Sequence, residues 1–131
     1  MLDDKTVFIV EDNEQNMELV EFLLDEAGAR VIKAEDARAA RQVLDGPPPD
    51  LVLMDMNIPG TDGLSLLHEL RAREAWREVP VVALTALAMR GDRERILAAG
   101  CQGYIAKPID VATFLAEVSG HFLRGSGERE P

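Results

Sequence analysis

The chain has 131 residues, is 47% hydrophobic and carries a formal net charge of -10 at pH 7. That length supports one domain with a proper core but not two, and the apolar content excludes a disordered chain. The acidity argues against nucleic-acid backbone and anionic membrane as partners and favours cations or metals. Residues 6–10 are β-branched and aromatic and read as a first strand, ended by Glu11-Asp12-Asn13. Asp12 or Asn13 caps a helix in which Met17, Val20, Leu24 and Ala27 recur at helical spacing, and Gly28 stops it. Residues 30–33 predict a short, more exposed second strand. Residues 35–45 carry Ala37, Ala40, Val43 and Leu44 on one face of a small helix, closed by Gly46-Pro47-Pro48-Pro49. Residues 51–55 form strand three: four apolar positions, then Asp55, with the Pro59-Gly60 turn signal beyond. Helix three starts near Asp62 and runs through Leu64, Leu67 and Leu70 to about Glu74. Residues 79–84 give strand four, ending at Thr85, and residues 92–99 give helix four, stopped by Gly100. Residues 103–106 give strand five, ending at Lys107-Pro108. Val111, Phe114, Leu115, Val118 and Phe122 line a last helix. The predicted domain spans residues 1–123, and residues 124–131 read as a disordered tail.

One cysteine, Cys101, excludes an internal disulfide and points to a reducing, cytoplasmic compartment. The acidic start Met1-Leu2-Asp3-Asp4-Lys5 is unlike a signal peptide, and no apolar run approaches membrane-spanning length.

Five strands alternating with five helices predict a doubly wound α/β domain, a five-stranded parallel sheet with helices on both faces. In such folds the carboxyl ends of the strands share one rim, where ligands bind. The strand ends here are Glu11 and Asp12, Asp55, Thr85 and Lys107: acids, a hydroxyl and a cation. Three carboxylates within about 5 Å repel by roughly 3 kcal/mol per pair at an effective dielectric near 20. They coexist ionised only with a cation among them, and oxygen-only ligands favour Mg²⁺, Mn²⁺ or Ca²⁺ over zinc. Such a site suits phosphoryl chemistry, with Asp55 in the centre as nucleophile, Lys107 neutralising one phosphoryl oxygen and the Thr85 hydroxyl bonding another.

Four motifs, taken together, resemble the receiver domain of two-component response regulators: residues 9–13 (Ile9-Val10-Glu11-Asp12-Asn13), residues 55–63 (Asp55 to Gly63), Leu84-Thr85-Ala86, and Lys107-Pro108. The resemblance covers about residues 5–123 and implies a flavodoxin-like, CheY-like fold. It implies that Asp55 accepts a phosphoryl group from a histidine kinase or histidine phosphotransfer protein. It further implies Asp12, Asp55 and the backbone carbonyl of Asn57 as direct Mg²⁺ ligands, with Glu11 holding a metal water. Thr85 and Lys107 are implied as phosphate contacts and Tyr104 as a switch aromatic. Residues 11–17 and 89–92 are similar to the single-domain, DivK-type cell-division regulators. A stand-alone receiver, expected as a monomer, would signal through a protein target on its helix 4–strand 5–helix 5 face, where Met89, Arg90, Arg93 and Arg95 fall, or shuttle phosphate in a relay. Family experience also places the side chains of Asn57 and Leu87 beside the site as influences on phosphoryl lifetime. Glu11 stands where many receivers carry Asp.

Other readings stand beside these. Glu11 and Asp12 also read as helix caps, Thr85 as an ordinary strand end, and Lys107 as a solvated lysine at a turn. The Lys107-Pro108 bond, if cis, would aim the lysine inward. A phosphatase of haloacid-dehalogenase type also uses a strand-end Asp and Mg²⁺, but needs a second Asp two residues on. Asn57 occupies that position and cannot donate a catalytic proton. The chain is therefore expected to catalyse only its own phosphorylation and dephosphorylation. A flavodoxin-like cofactor site would want a Gly/Ser/Thr-rich loop after strand one, where Glu11-Asp12 stand instead. Cys101 reads as a small buried or half-buried residue, His68 and His121 as surface or packing residues on helices away from the rim, and Trp76, just after helix three, as packing on a loop.

Overall fold

The computed structural model describes residues 2–58, 60–86 and 90–122, and within these the backbone alone at 57, 58, 61, 62 and 90–93. Strands β1 (Thr6–Val10), β2 (Arg30–Ala34), β3 (Leu51–Asp55), β4 (Val81–Thr85) and β5 (Gly103–Ala106) form one parallel sheet in the order β2-β1-β3-β4-β5. Helices α1 (Glu14–Glu26), α2 (Ala37–Leu44), α3 (Gly63–Ala72), α4 (Arg90–Ala98) and α5 (Phe114–Ser119) complete the doubly wound architecture expected from the sequence. The strand order reverses between β1 and β3, which opens a crevice at their carboxyl ends.

Strand periodicity sorts the core into two layers. Phe8, Val10, Val52, Met54, Val81 and Ala83 face α2, α3 and Trp76. Val7, Ile9, Leu51, Leu53, Val82 and Leu84 face α1 and α5. All five residues of β3 are buried, as are all five of β4. Each buried Leu or Val contributes about 1.5–3 kcal/mol, so these central strands hold the sheet. The β2 edge is more exposed, as its composition predicts.

Several boundaries differ from the reading of the sequence. Of the two caps the sequence offers for α1, Asp12 or Asn13, the structure uses Asn13: its side chain accepts from the Asn16 N–H at 2.8 Å. Asp36 caps α2 through the Ala39 N–H, so that helix begins later than residue 35. Helix α3 ends at Ala72, and a 3-10 turn (Glu74–Trp76) follows. Strand β4 starts at Val81 because Pro80 has no N–H for the ladder. The last helix is short: Val111 lies before it and is 56% exposed, and His121 and Phe122 lie beyond its Gly120 cap. Beyond Asp55, Asn57–Ile58 pairs antiparallel with Thr61–Asp62, and Gly60 between them takes a positive φ (96°), while Pro59 of the turn signal lies outside the described residues.

Trp76 packs inside the core rather than on a loop. It meets Phe8 edge to face at 6.0 Å, and its indole N–H donates to the Gly46 carbonyl at 3.2 Å. Among the described residues, no helix is long and apolar enough to cross a membrane. The expected tail, residues 124–131, lies outside the described residues.

Candidate functional site

Alternation along the strands builds the site. Glu11 continues the parity of Val7 and Ile9, Asp55 that of Leu51 and Leu53, and Lys107 that of Ile105, all of which face the α1–α5 layer. The ladders extend past the strand ends to hold them. The Glu11 N–H donates to the Ala34 carbonyl at 3.0 Å, and the Lys107 N–H to the Thr85 carbonyl at 2.9 Å. Three strands therefore deliver Glu11, Asp55 and Lys107 to one point. Lys107 Nζ lies 3.0 Å from Asp55 Oδ2 and 3.1 Å from Glu11 Oε1. The Lys107-Pro108 peptide bond is cis.

Glu11 is fully buried (0% exposed), Asp55 is 4% exposed and the Lys107 side chain 17%. Burial pushes the Glu11 carboxyl above the usual carboxylate range. The Asn13 N–H, which donates to Oε2 at 3.0 Å, and the Lys107 ammonium pull it part of the way back, while Asp55 adds to the rise. Burial alone would lower the Lys107 ammonium. The carboxylates of Asp55 and Glu11 outweigh it and raise the lysine above its ordinary value.

Asp12, which is exposed, completes the acidic cluster: Glu11, Asp12 and Asp55 each offer a carboxylate oxygen within 4.8 Å of the others. At that separation each pair of charges repels by about 3 kcal/mol at an effective dielectric near 20. Glu11 Oε1 is buried without an aligned hydrogen bond, its ammonium neighbour standing at ion-pair distance only. An oxygen-only donor set with a surplus of negative charge and a buried, under-satisfied oxygen fits a hard divalent cation. An acidic groove of about 650 Å³ leads from the cluster between α1 and the start of α2.

Thr85 ends β4, 2% exposed, on the opposite strand parity, shared with Ala83. Tyr104 pairs with Ala83 across β4 and β5, is half-buried, and packs against that same layer. Asn57 holds its backbone in the short ladder opposite Asp62, and its side chain lies outside the described residues. So do Leu87 and Met89 entirely, and the side chains of Arg90 and Arg93; Arg95 is exposed in the last turn of α4.

Two contributors carry no signal as single residues. Gly63 is one: a Cβ there would meet Met56 Cα at 2.7 Å and the Asp55 carbonyl at 3.0 Å, so only glycine lets α3 start against the loop after Asp55. Its N–H donates to the Met56 carbonyl at 3.0 Å, fixing that loop. The pairing of Glu11 with Lys107 is the other. Cys101, His68 and Trp76 lie apart from the cluster. Burial pushes the Cys101 thiol up to about 11, which keeps it unreactive.

The family model for the response regulator receiver domain matches residues 7–119. The chain belongs to the response regulator receiver family. This receiver is 41% identical over 117 residues to the polar-differentiation response regulator DivK of Brucella ovis, covering 89% of this chain and 95% of that one. Its fold matches the receiver domain of the sensor histidine kinase PA1611 from Pseudomonas aeruginosa, with TM-score 0.81, 38% identity, and 89% and 96% of the two chains covered. That crystal structure is described with a magnesium ion coordinated in its active site cleft. The chemotaxis response regulator CheY4 of Vibrio cholerae shares the fold at TM-score 0.84 and 24% identity, over 88% of this chain and 97% of that one.

Proposed function

We propose that this receiver takes a phosphoryl group onto Asp55 from a histidine kinase or histidine phosphotransfer protein and signals by phosphorylation-dependent protein binding. The observation that supports this best is the buried Asp55 carboxylate with Lys107 Nζ at 3.0 Å and two further acids within 4.8 Å. An Asp55 oxygen attacks phosphorus while the phosphorus–nitrogen bond to the donor imidazole breaks. The electron pair of that bond leaves on nitrogen, and the product is an acyl phosphate. Asp12, Asp55 and the Asn57 backbone carbonyl would hold Mg²⁺, or Mn²⁺ or Ca²⁺ in its place, with Glu11 reached through a water. When bound, the cation supplies charge neutralisation at the phosphoryl oxygens. Lys107 neutralises another of those oxygens, and the Thr85 hydroxyl donates to a third.

Output follows from the parity of the strands. Thr85 and Tyr104 belong to the same layer of β4 and β5. Movement of Thr85 toward the phosphoryl group vacates space into which the Tyr104 ring turns. The α4–β5–α5 surface then changes shape in a shift between two populated states. The protein works as a cytoplasmic monomer in this reading. Incubation with a small phosphodonor and Mg²⁺ adds one phosphoryl group, and Asp55→Asn abolishes the addition; labelling of that variant at the wild-type rate overturns the assignment. For the switch, beryllofluoride shifts the resonances of Tyr104 and α4, whereas changes confined to the loops around Asp55 contradict it.

A further inference from the structure

We propose that Arg71 clasps the carboxyl end of α4 and makes it a pivot, so that the helix tilts about that end when the protein is phosphorylated. This rests on the output reading above and adds how the output surface moves. The attachments of α4 gather at its last turn. Of its described side chains, residues 94–98, Ile96 is the buried one, and with Cys101 it enters the layer of Phe8, Val81 and Ala83. Leu97 is 45% exposed. Gly100 (φ 112°) closes the helix: its N–H donates to the Leu97 carbonyl at 3.1 Å, and the Cys101 N–H to the Ile96 carbonyl at 3.4 Å. The Gln102 N–H then joins the sheet at the Val81 carbonyl, 2.7 Å away.

Arg71 ties this turn to the chain before β4. Its Nη2 donates to the Gly100 carbonyl at 3.0 Å, and its Nη1 to the carbonyls of Trp76 at 3.2 Å and Val79 at 2.6 Å. A guanidinium is a rigid planar fork, so it holds these carbonyls at set directions from one another. Sliding α4 along its axis breaks the Arg71–Gly100 and Gln102–Val81 bonds, whereas tilting it about Gly100 breaks neither. The chain enters α4 from Thr85, at the end remote from the clasp. At 1.5 Å per residue α4 is about 13 Å long, so a tilt of about 10° moves its amino end by about 2 Å and its carboxyl end hardly at all.

Spin-label distances test this. Glu94→Cys or Ala99→Cys is paired with a reference on α1 (Glu18→Cys) or on α2 (Arg38→Cys), with Cys101→Ser throughout. Beryllofluoride with Mg²⁺ changes the distances to 94 by about 2 Å and those to 99 by less than about 1 Å. Arg71→Ala broadens the distances to 99 before ligand is added, and with ligand they change as much as those to 94. Equal changes at both positions with Arg71 present overturn the proposal, and so do distances to 99 that Arg71→Ala leaves sharp and unmoved. If Arg71→Ala does not fold, Arg71→Lys serves with the same expectations, because a single ammonium does not span the carbonyls of Val79 and Gly100. No change at any pair in protein that labels on Asp55 defeats the output reading and the pivot with it. Failure to label defeats the phosphoacceptor reading, and the ligand-free widths at 99 then decide the clasp alone.

Discussion

Lys107 and Arg71 are both largely withdrawn from solvent, and they are held in opposite ways. Lys107 faces two carboxylates, Asp55 and Glu11, which raise its pKa in spite of burial. Arg71, near the end of α3, donates to backbone carbonyls: Nη1 to Trp76 at 3.2 Å, Arg77 at 3.1 Å and Val79 at 2.6 Å, and Nη2 to Gly100 at 3.0 Å. Burial lowers the Arg71 guanidinium, and the neighbouring Cys101 and Glu78 return only part of that. The fold fixes these main-chain carbonyls in place, so Arg71 is a rivet joining α3, the 3-10 turn and the residues that follow α4. Carboxylates can exchange an ammonium for a metal or lend it to a phosphoryl oxygen. The same class of charge is therefore structural at one place and available for chemistry at the other.

The comparison breaks most sharply under substitution of each cation. Lys107→Met slows phosphorylation of Asp55 by about 100-fold, the magnitude of losing one charge-stabilising donor. Arg71→Ala leaves that rate within about twofold but costs about 1–3 kcal/mol of stability, since the carbonyls of the buried Trp76 and Val79 lose their donor. Rates with acetyl phosphate and urea unfolding curves check both. An Arg71→Ala variant with wild-type stability would contradict the rivet.

Metal linkage sharpens the contrast with a smaller effect. Mg²⁺ binding only the native state stabilises by RT ln(1 + [L]/Kd), about 2.7 kcal/mol at a hundred times Kd. Millimolar Mg²⁺ raises the melting temperature of the wild type, Asp12→Ala blunts the rise, and Arg71→Ala shows it undiminished. A melting curve indifferent to Mg²⁺ in the wild type counts against the cation site.

Legibility in the sequence divides along the same line. The strands other than β2 could be read because each is an apolar run ended by a polar residue, and β1, β3 and β5 fall at the expected positions. The rim can be read because strand ends share an edge in this fold, which gathers Asp12, Asp55 and Lys107 in one cluster and puts Thr85 at the end of the neighbouring strand. The Arg71 network could not: its acceptors are carbonyls five to twenty-nine residues away, and backbone oxygens leave no mark on residue identity. The division of Glu11 between Lys107 and α1 was hidden for a related reason. Strand parity puts Glu11 and Lys107 on one face, but only the register across four paired strands, β1-β3-β4-β5, brings them to 3.1 Å. Val111 was misassigned to a buried helix face because its hydrophobicity is visible in sequence and the late start of α5 is not.

The smallest effect belongs to a surface pair that resembles neither cation. Arg41 and Glu69 join α2 to α3 through two hydrogen bonds, at 2.8 and 2.9 Å. The Arg41 bond, first of all, lowers the Glu69 carboxyl. A carboxyl lowered in the folded state contributes stability above its unfolded pKa, and that contribution is lost as pH falls through the folded one. Glu69→Gln therefore removes a slight acid-limb dependence and leaves neutral-pH melting close to wild type. An unchanged acid limb would show that the pair contributes nothing.

Chemical capture of the phosphorylated residue tests the central claim most directly. Protein labelled with acetyl phosphate and Mg²⁺ is reduced with borohydride, which converts an aspartyl phosphate to homoserine, and is then digested and sequenced by mass spectrometry. Homoserine at position 55, dependent on Mg²⁺ and confined to that position, is the predicted result. Homoserine at another acid, or a phosphoryl group that resists borohydride and sits on a hydroxyl or imidazole, contradicts it.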